Sequence, residues 1–150
     1  MRDVYREHQI SPQRVLQEGV MLITERFRQP CDFAVIGRSR TTVQIAQAWS
    51  LQTSDPVEVL EKIKAWGWGI FDIRRAGGKV IKLSHGEWET TKDVAVQAVI
   101  APPIDQSHAH RAAYDEAINL CQTVDIEPVL WDDVERVGQR AESLLGSGAG

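Results

Sequence analysis

Apolar positions along the chain change period several times, and each change marks an element. Val15, Leu16, Val20, Ile23 and Phe27 recur at helical spacing. Ser11-Pro12 before them is a helix-start signal: a serine hydroxyl accepts from an orphan main-chain N–H, and a proline at the first helical position has no N–H to satisfy. A helix is therefore predicted from Ser11-Pro12 to just short of Pro30, because the residue before a proline avoids helical angles. Asp32-Phe33-Ala34-Val35-Ile36-Gly37 then reads as a strand and residues 38–41 as a turn. Thr42 to Ser50 reads as a second strand. Its alternation puts Val43, Ile45, Gln47 and Trp49 on one face and Gln44, Ala46, Ala48 and Ser50 on the other. Strands joined so closely pair antiparallel.

Asp55-Pro56-Val57-Glu58 opens the next helix, with Asp55 as cap and Glu58 able to reach back to it. Leu60, Ile63, Gly67, Ile70 and Phe71 form its stripe. Gly67 and Gly69 either break it or permit close packing, and Gly77-Gly78 stops it. Lys79 to Ser84 is strand-like, His85-Gly86-Glu87 a turn, and Val94 to Ala101 a strand ended by Pro102-Pro103. Ser107 caps a helix carrying Ala113, Ala117, Ile118 and Cys121. Glu127 to Trp131 is a short strand. Asp132 or Asp133 caps a last helix with Val134, Val137, Ala141 and Leu144. The order helix, strand, strand, helix, strand, strand, helix, strand, helix predicts an α/β fold, a mixed central sheet flanked by helices.

Composition refines this picture only modestly. The chain has 150 residues, 43% hydrophobic and 25% charged, which fits one α/β domain over residues 1–145 followed by a flexible tail at 146–150. A net charge of -4 argues against a generally basic surface for nucleic acid but permits a local basic groove. Cys31 and Cys121 read as two reduced, buried thiols. With no apolar leader and no apolar run of membrane length, a cytoplasmic protein without membrane contact is expected.

Phosphate-loop, dinucleotide, CxxC, HExxH and GxSxG motifs are absent from the sequence. His108 and His110 read as a helix-start surface pair rather than a metal site. Trp49, Trp66 and Trp68 are expected to pack where the hairpin meets the second helix, with Trp88 the most exposed tryptophan.

One region carries candidate chemistry. From Cys31 to Trp66 the sequence resembles the PD-(D/E)xK superfamily and, within it, the Mrr-like restriction endonucleases. Pro30-Cys31-Asp32 stands where that family has its proline, an intervening residue and its Asp. Val43-Gln44-Ile45-Ala46 stands where Mrr-like members have Val-Gln-x-Lys, and the helix from Pro56 follows. The later order of elements agrees, so the resemblance spans most of residues 11–145, although only Asp32 and Gln44 match in identity. It implies a restriction-endonuclease-like core in which Asp32 and Gln44 hold Mg²⁺ and a lysine two residues after Gln44 reaches the attacking water. Residues i and i+2 share one face of a strand, which is why the chemistry uses that spacing.

The lysine slot holds Ala46. Some family members carry this lysine on the following helix, where Lys62 and Lys64 are available and Lys64 is the better placed relative to Trp66. Arg38 and Arg40 at the hairpin turn, and Arg74 and Arg75 at the helix end, are the corresponding nucleic-acid contacts, although a solvated surface accounts for them equally well.

Three functions follow as expectations. The first is a catalytically impaired restriction-endonuclease-like module, serving as a nucleic-acid-binding or complex-assembly subunit in phage defence or a mobile element. The second is an active Mg-dependent DNA endonuclease with a migrated lysine. The third is a protein–protein interaction domain with no nucleic-acid role, whose partner is another protein or a second copy; an exposed apolar patch in place of a basic groove would favour it.

Overall fold

The computed structural model describes residues 1–105 and 107–146, so most of the expected tail, 147–150, lies outside the described residues. The elements are α1 (Arg2–Glu7), β1 (Val15–Ile23), β2 (Arg28–Ile36), β3 (Thr42–Ser50), α2 (Pro56–Ala76), β4 (Gly78–Lys82), β5 (Gly86–Thr90), β6 (Ala95–Ala101), α3 (His108–Thr123), β7 (Glu127–Leu130) and α4 (Glu135–Gly146). They build a mixed seven-stranded sheet in the order β5-β4-β1-β2-β3-β6-β7. The pairs β1–β2, β2–β3, β1–β4 and β4–β5 are antiparallel, whereas β3–β6 and β6–β7 are parallel.

Two apolar layers cover the sheet. Leu60, Ile63, Trp66, Ile70 and Ile73 of α2 join Ala113, Ala117 and Cys121 of α3 in one core with Leu22, Ala34, Ile45 and Ile100. Tyr5 of α1 with Val137 and Ala141 of α4 join Val35, Ala46, Val99 and Val129 in the other. The α/β class with a mixed sheet is thus as the pattern predicts. Among the described residues no helix is long and apolar enough to cross a membrane.

The element expected to be the first helix is a strand. Residues 12–14 form a 3-10 turn and β1 follows as a central strand between β2 and β4. Its buried positions are Leu16, Val20 and Leu22. The register slips between Gln17 and Val20, where Glu18 and Gly19 take left-handed φ values of 60° and 73°. This bulge spreads the apolar residues so that they also satisfy a helical period, which is why the two readings compete locally and pairing on both flanks decides. Pro30, expected to stop a helix, sits inside β2 opposite Met21.

Two further elements escape the pattern. The mostly polar α1 buries only Val4 and Tyr5. Strand β5 falls on the expected turn at Gly86 and Glu87. Here the sheet curls until the β2–β3 turn meets β5: the Glu89 N–H donates to Arg40 O at 2.8 Å and the Arg40 guanidinium lies 5.5 Å from the Trp88 ring centroid. Trp88 is consequently 8% exposed, a correction to its expected position at the surface. At the opposite margin, β7 has only 4 residues and includes Pro128.

The second helix matches its start signal, with Asp55 accepting the Glu58 N–H at 3.2 Å. It runs through Gly67 and Gly69 without a break. A Cβ at Gly67 would press on Leu120 of α3 and one at Gly69 would collide with the Gln29 amide, so both glycines serve close packing. It ends where Gly77, at φ 76°, donates its N–H to Ile73 O. The last helix begins at Glu135, after a 3-10 turn that takes up Asp132 and Asp133.

Candidate functional site where β2 and β3 part

Main-chain pairing of β2 with β3 runs from Ile36 to Phe33 and stops opposite Ala46. Side chains take over beyond that point. The Asp32 N–H donates to Gln47 Oε1 at 2.8 Å, and the Ala48 N–H donates to Asp32 Oδ2 at 3.0 Å. Asp32 is exposed while Gln47 is buried. The structure therefore brings Asp32 to Gln47 rather than to Gln44.

Gln44 is engaged elsewhere. It is fully buried; its Oε1 accepts from Tyr5 Oη at 3.0 Å, and its Nε2 donates to Val137 O at 3.0 Å and to Gln97 Oε1. These partners tie α1, β6 and α4 to the centre of β3. The amide is satisfied from three directions, the ordinary state of a buried polar group. It does not fit a Mg²⁺ ligand beside Asp32. Ala46, in the lysine slot, is 0% exposed in the same α1–α4 layer. A side chain there would enter the core, not a cleft. Among the described residues no group of three or more His, Cys, Asp or Glu side chains is arranged to hold a metal ion.

Lys64 bridges α2 to α3: its amine lies 2.9 Å from Glu116 and 3.6 Å from Glu61, and the hydrogen bond to Glu116 leads the causes that raise its pKa. Lys62 is the lysine that reaches the Gln47 side. With Pro30, Gln47, Trp49, Ala65 and Trp66 it lines an open cleft of about 360 Å³. Trp49 and Trp66 meet edge to face at 6.4 Å, as expected, and their Nε1 groups are the buried side-chain donors left without a partner among the described residues. Trp68, expected beside them, is instead 57% exposed and packs on Phe71.

Trp49 is shared with a second groove, of about 370 Å³, at the C-terminal ends of the parallel strands, where Ser50, Gln52, Ala101 and Trp131 complete the wall. Crevices beyond the carboxyl ends of parallel strands are the usual binding positions in open α/β sheets. Trp131 stands 47% exposed there, while Leu130 lines a separate groove with Tyr114 and Ile118 of α3. Alternation had placed Gln47 and Trp49 on one face of β3. Trp131 and Lys62 carry no local signal, because the turn after β7 and the packing of α2 bring them in.

The four arginines do not converge. Arg74 is a structural bolt: its guanidinium donates to the carbonyls of Val124, Lys92, Val94 and Asp125 at 2.6–3.2 Å, and burial lowers its pKa. Arg75 pairs with Asp72 at 2.9 Å and Glu25 at 3.6 Å. Arg40 donates to Glu87 O and covers Trp88. Arg38 alone of the four is exposed with no side-chain partner among the described residues. Ser107 caps the start of α3, accepting the His110 N–H at 3.4 Å, and His110 Nδ1 lies 2.8 Å from Ser107 Oγ and Nε2 3.0 Å from Thr53 O.

Comparison with known proteins finds no matching family model, no matching curated protein and no matching solved structure.

Proposed function

We propose that this chain is a non-cutting recognition module on a restriction-endonuclease-like core, a complex-assembly subunit whose protein partner docks on the Trp49–Trp131 surface. The order of parts supports the core: Asp32 on β2, Gln44 and Ala46 on β3, and α2 next, as the resemblance implies. The observation that carries the non-cutting reading is Ala46, wholly buried on the α1–α4 side beside a hydrogen-bonded Gln44. The observation that favours a protein partner is the surface itself. Trp49 and Trp131 present apolar area at the strand ends, while three of the four expected nucleic-acid arginines are committed within the fold. Aromatic residues at the centre of such surfaces dominate protein–protein binding. A phage-defence or mobile-element setting rests on the resemblance alone.

The test combines plasmid nicking with Mg²⁺ or Mn²⁺, duplex binding by fluorescence anisotropy, and recovery of a bound protein by the chain and by Trp131→Ser. No nicking, no duplex binding and a bound protein lost with Trp131→Ser are expected. Metal-dependent nicking, or tight duplex binding, overturns the reading.

One observation favours a metal-dependent nuclease as the second reading: Lys62 on α2 lines the same cleft as Gln47, whose amide touches Asp32. That reading requires nicking that disappears in Lys62→Ala and persists in Lys64→Ala.

A further inference from the structure

Five arginines of this acidic chain, Arg2, Arg6, Arg26, Arg75 and Arg136, each have an acidic partner. Arg14 and Arg38 have none among the described residues, and both line one open cavity of about 510 Å³. It lies between the segment that follows α1, the β2–β3 turn and the end of α4. Arg14 Nη1 reaches Ile36 O at 3.5 Å, which steers the guanidinium while leaving most of its N–H groups uncommitted. Glu142 also lines the cavity, but its carboxylate is 2.8 Å from His8 Nδ1, and His8 Nε2 is 3.0 Å from Glu135. His8 is thus shared between two carboxylates, and the Glu142 carboxylate on the wall is turned toward the imidazole. Ser11 stands at the rim, and Ile10 and Leu145 supply apolar wall.

We propose that this cavity binds a phosphate monoester, with Arg14 and Arg38 as its two guanidinium arms. Two unpaired forks match a dianion better than a single carboxylate, and guanidinium groups hold phosphate oxygens in bidentate geometry. The volume exceeds a phosphate ion, so the Ile10 and Leu145 wall covers part of the organic body. The shared chemistry is a terminal phosphate, carried either by a free phosphorylated small molecule or by the end of a strand. The cavity shares no residue with the Trp49–Trp131 surface, and a duplex without terminal phosphates in the anisotropy test keeps the two readings separate.

The experiment titrates the chain by calorimetry with inorganic phosphate, a nucleoside monophosphate, and one single-stranded oligonucleotide with and without a 5′-phosphate. Saturable binding is expected, weakened about tenfold or more in Arg14→Gln/Arg38→Gln and unchanged in the control Arg28→Gln. Arg38→Gln alone, at an exposed position, gives a smaller loss without risk to the fold. A mononucleotide that binds at least as well as the phosphorylated strand assigns the site to small molecules. A phosphorylated strand that binds better than both the mononucleotide and its unphosphorylated twin assigns it to strand ends. The proposal is overturned if nothing saturates, or if the double variant, folded by circular dichroism, keeps the affinity.

Discussion

Tyr5 Oη donates to Gln44 Oε1 at 3.0 Å, joining the first helix to the buried middle of the central strand. Both groups are enclosed, so neither has water as an alternative. Tyr5→Phe leaves Gln44 Oε1 without its donor and is expected to cost about 1–3 kcal/mol, the usual penalty for a buried polar group left unmade. Urea unfolding followed by tryptophan fluorescence reads this as a lower midpoint with unchanged slope. An unchanged midpoint would mean that α1 does not hold this position in solution.

A lysine at position 46 is expected to cost stability and to bring no nuclease activity. Ala46→Lys places an amine in the α1–α4 layer, among Tyr5, Val35, Val99 and Val137. Surrounded by apolar side chains, the charge is expected to destabilise the fold by roughly 3–5 kcal/mol. The variant unfolds earlier in denaturant and gains no Mg²⁺-dependent nicking. A stable variant that nicks plasmid would show that β3 faces the other way.

His8 gives the fold a dependence on pH. Its pKa is raised, first by the hydrogen bond to Glu142 and then by that to Glu135, against an opposing effect of burial. A raised value means that the folded state holds the proton more tightly. The stabilisation is therefore complete below the ordinary value of 6.5 and is lost as pH rises through the higher folded value. Thermal melts of the chain and of His8→Gln, compared from acid to mildly alkaline pH, are expected to converge as pH rises. A gap that stays constant would remove the imidazole's charge from the account.

Asp72 acts in the opposite sense. This buried carboxylate of α2 is held far below the ordinary carboxylate range, first by a hydrogen bond from Thr24 and next by Arg75, with Arg26 adding to it. Its stabilisation is present above the unfolded value of 3.8 and declines as pH falls below that toward the depressed folded value. Asp72→Asn is expected to lower the midpoint at neutral pH and to narrow its difference from the parent chain in strong acid. The same side chain accepts the Arg26 main-chain N–H at 3.4 Å, so the β1–β2 turn is the segment that should lose amide-exchange protection in that variant.

What could be read from the sequence follows from where each element's specification resides. Helix α2 and strand β3 are fixed locally: a cap at Asp55, a proline at the first turn, a glycine stop at Gly77, and an alternating run between turn residues. Strand β1 is fixed by neighbours, because its bulge at Glu18-Gly19 makes the apolar spacing ambiguous until β2 and β4 are in place. Strand β5 is short, starts at a glycine and depends on the curl that brings Arg40 onto Trp88. The candidate site divides in the same way. The burial of Gln44 follows from its place in an apolar alternating strand, where an amide needs partners. The Asp32–Gln47 contact was not legible. It depends on a register irregularity between Val35 and Ile36, where Val35 pairs with Gln44 but Ile36 with Thr42, and no local pattern announces that slip.

The curl that buries Trp88 also decides how copies of this chain can meet. At one margin of the sheet the turn carrying Arg40 and Thr41 already occupies the outer side of β5 at Glu89. At the other margin, β7 is four residues long and Pro128 brings no N–H to its outer side. Neither side offers the long row of free donors and acceptors on which a foreign strand could register. Polymerisation by strand addition, the common hazard of an open sheet, is thus disfavoured by the geometry of both margins.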